Sequence, residues 1–256
     1  MRASDLDRVK ALPLFRNTTP ETFRDVTGGA FLQRFPSGTT LLLEGDTVDF
    51  LYVLLDGTVE LQGSWKQKET TLAVLRPVST FILAAVVLDA DALMSAHTLE
   101  RSEILMLSGE ALRRTMKQDP DFCFAVAQEL SGCYRGLVRG VKNQKLRGGI
   151  ERLANYLITQ RVRQGQPETI QLPHEKRVLA SLLGMTPENL SRAFSSLSTY
   201  GVVVKGPLVT IGRPEALERL ARPTPLIDNH MPAADTLVGK AEAERWTAPE
   251  RTYAYA

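Results

Sequence analysis

Between about Phe31 and Leu107, apolar and polar positions alternate in short runs broken by turn residues: FLQRF, PSG, then TLLLEGD, FLYVLLDG, TVELQG, TLAVL and EILML. Alternation at period two with closely spaced turn signals predicts an antiparallel β-sandwich or barrel. Gly38, Gly45, Gly57 and Gly63 fall where strands are expected to turn, and Asp56–Gly57 is a hairpin signal between LYVLL and TVELQ. A small β-roll preceded by short helices is expected.

After Asp119–Pro120 the period changes. Phe122, Val126, Leu130, Cys133, Leu137 and Val141 are separated by 4, 4, 3, 4 and 4 residues, a narrow apolar seam along one helix of about 25 residues. So thin a stripe, ending among Arg135, Arg139, Lys142, Lys145 and Arg147, predicts a two-chain coiled coil and hence a homodimer. Gly132, Gly136 and Gly140 recur in the same helix, each costing about 1 kcal/mol relative to Ala. Close helix approach could offset that cost, or the glycines could loosen the helix for movement.

Gly148–Gly149 reads as a hinge and domain boundary before the helical run IERLANYLITQRVRQG. Then come two short helices joined at Gly184–Met185–Thr186 and the strand-like runs VVVKG and LVTIG, the order of a winged helix-turn-helix. The fold class is therefore α+β: a β-roll over 1–119, a dimerisation helix over 120–147, a winged helix-turn-helix over 148–221, and a Pro-rich, loosely ordered tail over 222–256.

Charge sharpens the division. Residues 1–130 carry 13 Lys and Arg against 18 Asp and Glu, residues 131–213 carry 13 against 4, and residues 214–256 carry 5 against 7. The strongly basic segment coincides with the helix-turn-helix, which points to double-stranded DNA as partner. Two cysteines exclude a disulfide framework and a four-thiolate metal site within one chain, and fit a reducing cytoplasm. The first thirty residues hold no apolar core of a secretory signal, and the run Phe81 to Leu88 is too short to span a bilayer, so no membrane association is expected. Three His residues and no phosphate loop, nucleophile motif or metal-ligand spacing argue against an enzyme.

The phrases LLLEGDTVDFLYVLLDGTVEL (Leu41 to Leu61), QDPDF (Gln118 to Phe122) and LASLLGMTPENLSRAFSSLSTYGVV (Leu179 to Val203), in this order, resemble the CRP/FNR superfamily of dimeric transcription regulators. The resemblance covers about residues 8–221. The phrase FILAAVVLDADALMSAHTLERSEILML further resembles the FtrB-like activators. By this resemblance the second helix of the pair reads DNA, the family's E-x-x-S-R pattern appearing here from Glu188 to Arg192. Chemistry supports the assignment: Arg192 can donate two bonds to guanine, Glu188 can accept from a cytosine amino group, and Ser191 can add a third contact. Thr186 suits the N-cap, Pro187 the first helical position and Asn189 the same exposed turn. Lys176, Arg177 and Lys205 are candidate phosphate contacts, or else a solvated charged face. Cyclic-AMP-dependent members often carry Arg where Pro187 stands; the resemblance then implies a half-site nearer TTGAT than TGTGA.

Family members that bind cyclic nucleotide carry an FGE sequence followed about ten residues later by RS. The corresponding stretch here, Phe81 to Leu93, has neither, and no Lys or Arg occurs between Arg76 and Arg101. A buried phosphate would meet Asp89 and Asp91 and no cation, at a cost of several kcal/mol. Cyclic AMP is therefore not expected as effector. Phe81, Ile82, Leu83 and Val86, with Val87, Leu88 and Leu93, could line a cavity for an unknown apolar small molecule or simply fill it. His97 on the next strand could serve as a haem ligand, since haem-based sensors occur in the family. Cys123 and Cys133 lie about 80° apart around their helix, so they do not bridge within one chain, but Cys133 could meet its symmetry mate. The expected function is a dimeric, sequence-specific regulator, an activator that contacts RNA polymerase. The alternative is a haem- or thiol-based sensor that acts through protein partners and keeps a vestigial DNA-binding domain.

Overall fold

The computed structural model describes residues 3–66 and 68–228. Its contacts divide the chain into two compact units, one running to Leu137 and the other beginning at Val138.

In the first unit, α1 (Ala3–Lys10), a 3₁₀ turn at Pro13–Phe15 and α2 (Pro20–Thr27) precede the strands β1 (Phe31–Phe35), β2 (Thr40–Leu42), β3 (Phe50–Asp56), β4 (Val59–Trp65), β5 (Lys68–Leu75) and β6 (Ser79–Phe81). There follow α3 (Leu83–Leu88), β7 (Ser95–Thr98), β8 (Ser102–Ser108), α4 (Gly109–Gln118) and α5 (Pro120–Leu146). Two four-stranded antiparallel sheets, in the orders β1-β8-β3-β6 and β2-β7-β4-β5, form the expected β-roll. Alternation drives Leu51, Leu75, Leu105 and Leu107 into a shared core. Gly57 adopts φ +91°, and a Cβ there would stand 2.6 Å from the Arg101 carbonyl oxygen, so the Asp56–Gly57 turn requires glycine. Gly63 departs from expectation: it lies inside β4, paired with Thr70, because a bulge between Leu61 and Gln62 lets the strand continue.

The long helix starts as its sequence demands. Asp119 caps α5, its Oδ1 accepting from the backbone N–H groups of Asp121 (2.9 Å) and Phe122 (3.0 Å), while the Thr22 hydroxyl donates to Oδ2. The Thr22 bond, then the Phe122 backbone bond, hold the Asp119 carboxyl below its ordinary pKa. Phe122 stacks on Phe15 at a ring separation of 6.2 Å, and Phe15 meets Phe23 edge-on at 5.3 Å. Phe122 and Val126, expected on a dimer seam, are instead wholly buried in this chain's own core, because the α1–α2 region and the β-roll cover the first turns of α5. The seam's later members differ: Leu137 is 60% exposed and Val141 50%, beside exposed Phe124, Tyr134 and Val138. No helix among the described residues is long and apolar enough to cross a membrane.

The second unit holds the last turns of α5, α6 (Gly149–Arg163), β9 (Thr169–Gln171), α7 (Lys176–Leu182), α8 (Pro187–Leu197), a 3₁₀ turn at Ser198–Tyr200, β10 (Val202–Lys205), β11 (Leu208–Ile211) and α9 (Pro214–Ala221). Three antiparallel strands in the order β10-β11-β9 form the wing, and Leu153, Leu157, Ile170, Leu197, Val209 and Leu217 fill the core beneath it. The α7–α8 pair and the β10–β11 hairpin are those read from the sequence; β9 extends the wing by one strand. The tail is a second departure. Pro223–Asp228 is held by specific bonds rather than loosely ordered, and 229–256 lie outside the described residues.

Candidate nucleic-acid interface and the β-roll interior

Gly184, with φ +62°, turns the chain between α7 and α8. Thr186 then enters α8 in an extended conformation, and its Oγ1 accepts from the Asn189 N–H at 3.2 Å. With Pro187 in the first turn, the helix starts without a wasted donor. Leu190, Ala193, Phe194 and Leu197 are buried, at the spacing that fixes one face of α8 on the core. The opposite face presents Glu188, Asn189, Ser191 and Arg192 to solvent over the first two turns. The bond with Thr186, then the helix's own N-terminal backbone, and more weakly Arg192, hold Glu188 below the usual carboxylate range, so it is an acceptor at neutral pH.

Around this strip stand exposed cations. Lys176 and Arg177 occupy the first turn of α7, and Lys205 ends β10 at the wing turn. A cleft of about 380 Å³ lies between α8 and β10, lined by Lys176, Ser191 and Ser195 together with Pro187, Phe194 and Val203. The eight residues expected to meet DNA therefore lie on one small unit, distributed over α7, α8 and the wing. His174, just before α7, is half-buried.

The junction with α5 is tightly bonded. Gly148 caps α6, its N–H donating to Glu151 Oε2 at 2.7 Å. Arg152, whose pKa burial pulls below its ordinary value, donates to the carbonyl oxygens of Arg147 (2.7 Å) and Leu183 (2.8 Å). Gln144 donates to the Leu182 carbonyl at 3.3 Å, and a Cβ on Gly184 would clash with the Gln144 Oε1. Nothing in the sequence pattern signals these polar braces; by sequence Gly148–Gly149 reads only as a hinge.

In the β-roll, Phe81, Ile82, Leu83 and Val86 belong to the packed core, and Val87 is half-buried against it. Leu88 and Leu93, expected to line a pocket, are instead 74% and 81% exposed. The reason is local: α3 is only six residues long, it ends in left-handed Asp89, and Leu88 falls on its outer side. His97 is also displaced from the expected pocket. Buried Ala96 and Thr98 take the inward positions of β7, so alternation places His97 on the outer face, its Nδ1 3.1 Å from Thr40 Oγ1. There it offers no axial ligand to a haem in the interior.

Arg113 from α4 is the cation at the end of α3, but it donates to the Val86 carbonyl (2.8 Å) and pairs with Asp89 (2.9 Å). Asp89, on the same segment, thus supplies the counter-charge to Arg113.

Residues 32–119 match the family described as cyclic nucleotide-binding domain, and residues 151–220 match the Crp-like helix-turn-helix domain. The chain is 28% identical over 216 residues to the cyclic AMP receptor protein of Thermus thermophilus, covering 83% of this chain and 98% of that relative. It is 22% identical to the CRP-like cAMP-activated global transcriptional regulator of Mycobacterium tuberculosis, over 82% of this chain and 96% of that one. The fold resembles FixK2 from Bradyrhizobium japonicum, with TM-score 0.66 and 18% identity over 76% of this chain and 98% of that structure. It also resembles a CRP-family transcriptional regulator from Thermus thermophilus, with TM-score 0.62 and 20% identity over 75% and 97% of the two chains. With both domains matched in the same order, over more than half its length, and with relatives that are regulators of one kind, the chain belongs to the CRP/FNR superfamily of transcription regulators.

Proposed function

We propose that this regulator is a cytoplasmic homodimer that reads DNA through α8 and activates transcription by contacting RNA polymerase, under control of an effector other than cyclic AMP. The observation that carries the reading is the exposed strip Glu188, Asn189, Ser191 and Arg192, backed by a helix face locked into the core. A helix presented in this way can place its first two turns in a major groove, with Arg192 paired to guanine and Glu188 to a cytosine amino group. Lys176, Arg177 and Lys205 would hold phosphates on either side. Exposed Leu137, Val138 and Val141 on α5 suit a second copy of the helix, which would place two readers on successive half-sites.

The fit of the β-roll supports a non-nucleotide effector: the segment that would carry the phosphate site holds Asp89 and Asp91, and Arg113 is engaged by Asp89. The rival reading, a sensor with a vestigial reader, is disfavoured by the complete and exposed reader strip. The decisive experiment selects binding sites from random duplexes with wild-type protein, then footprints Arg192→Ala on the winner. Loss of protection at one base pair per half-site is expected. Full retention of specificity by Arg192→Ala would remove α8 as the reader.

A further inference from the structure

The described tail is tied to the end of α5 by an ion pair that the matched domains do not include. Arg147 meets Asp228 through two bonds, Nη1 to Oδ1 and Nη2 to Oδ2, each 2.6 Å, and both side chains are only 7% exposed. Asp228 Oδ2 also accepts from the Thr224 N–H at 2.7 Å, while Arg147 donates to Asn143 Oδ1 at 3.1 Å. Lys142 Nζ donates to the Leu226 carbonyl at 3.3 Å. Left-handed Arg222 turns the chain out of α9, and the buried Asn155 amide holds the last carbonyl of that helix at 2.7 Å. The match to the helix-turn-helix domain runs to residue 220, so this return path lies outside the matched residues.

We propose that Pro223–Asp228 is a clasp, and that Arg147 and Asp228 are positioning residues for DNA reading. The inference rests on the DNA-binding function proposed above. Its physical content is orientational. Two readers can engage a palindromic site together only if each is held at a fixed attitude to its own α5. The junction that sets this attitude runs through Gln144 and Arg152, which donate to the Leu182 and Leu183 carbonyls at the α7–α8 turn, and Arg152 also holds the Arg147 carbonyl. A paired Arg147 closes that set. Opening the clasp leaves the guanidinium without its carboxylate, so it must swing to water, and the last turn of α5 loses its anchor to the tail. Each half-site would still be read, but the two-site advantage would shrink because the second contact is no longer pre-aligned.

The test uses the full-length chain carrying Asp228→Asn or Asp228→Lys, the second of which repels Arg147 outright. Hydrogen exchange of the free protein is read at residues 142–149, and affinity is read on the duplex selected by the wild type and on the same duplex with one half-site scrambled. The tail residue lies outside the core of the second unit, so unchanged exchange in β11 and at Leu153 and Leu157 of α6 certifies that this unit is folded. Expected are at least about tenfold faster exchange at 142–149, about tenfold weaker binding to the full site, and unchanged binding to the scrambled duplex. Unchanged exchange, or equal losses on both duplexes, overturns the clasp; so does tighter full-site binding, which would make the contact inhibitory. A wild-type protein that selects no sequence would sink the DNA reading, and the exchange measurement would still decide whether the clasp holds the junction.

Discussion

Replacing Phe122 by alanine separates two roles that a helical apolar stripe can play. The ring has no exposed surface in a single chain and stacks on Phe15, which in turn packs on Phe23. Truncating so buried an aromatic costs about 3–5 kcal/mol from lost transfer energy and the cavity left behind. With a urea m-value of about 2 kcal/mol per M, the midpoint of the first unit should fall by about 1.5–2.5 M. Because the contact is made within one chain, the shift should be the same at low and high protein concentration. Leu137→Ala offers the contrast. Its side chain is 60% exposed in the single chain, so truncation should leave the stability of a dilute monomer within about 0.5 kcal/mol. In a dimer that buries it, each copy would lose about 1.5–2 kcal/mol, weakening association by more than tenfold. Urea titrations at two concentrations and sedimentation of both variants make the measurement. If Phe122→Ala weakens association while leaving the dilute midpoint in place, the assignment of its ring to the intrachain core is wrong.

Further outcomes follow from single contacts. Burial pushes the Glu103 carboxyl up, but hydrogen bonds from Arg8 and Arg34 outweigh it and leave the pKa below its ordinary value. A lowered folded pKa contributes stability that is present above the unfolded value, about 4.3, and is lost as pH falls through the folded one. The stability gap between wild type and Glu103→Gln, followed by urea midpoints, should therefore narrow on acidification below about pH 4.5; a gap constant from pH 7 to pH 3 would show that the charge contributes nothing. Thr186→Ala should cost about 1 kcal/mol in the second unit, with Thr186→Ser close to wild type, because serine keeps the hydroxyl that caps Asn189 and bonds Glu188. Equal thermal midpoints for all three proteins would refute the cap. Lys176→Ala should weaken binding to every duplex alike and reduce the salt slope of log affinity by about 1, as expected of a phosphate contact. A sequence-dependent loss would instead make it a base contact.

Most of the architecture was legible because it is carried by period. Alternation announced the β-roll, spacing of 3 and 4 announced α5, and Thr186–Pro187 announced the start of α8. What escaped was three-dimensional. The stripe on α5 is one feature in the sequence, yet Phe122 and Val126 are used inside the chain and Leu137 and Val141 face outward, a distinction that depends on where the β-roll ends. Apolar neighbours in sequence suggest a pocket for His97, but the register of β7 with β2 and β4 turns it to the outer face. Asp89 and Arg113 are 24 positions apart, and nothing local predicts that they pair. That Glu188, Asn189, Ser191 and Arg192 form the solvent face of α8 was legible because a helix with one apolar face leaves its other face readable.

The close approach of Gly184 to Gln144 carries a lesson for anyone building hybrids from this chain. Leu182, Gly184 and the Arg147 carbonyl are all gripped from across Gly148–Gly149, so the paired glycines that look like a seam are stitched over on both sides. A chimaera joined there would import a helix-turn-helix whose turn was shaped around another protein's α5. The better cut lies about ten residues earlier, near Val138, where the compact unit begins, so that the last turns of the helix travel with the domain they support.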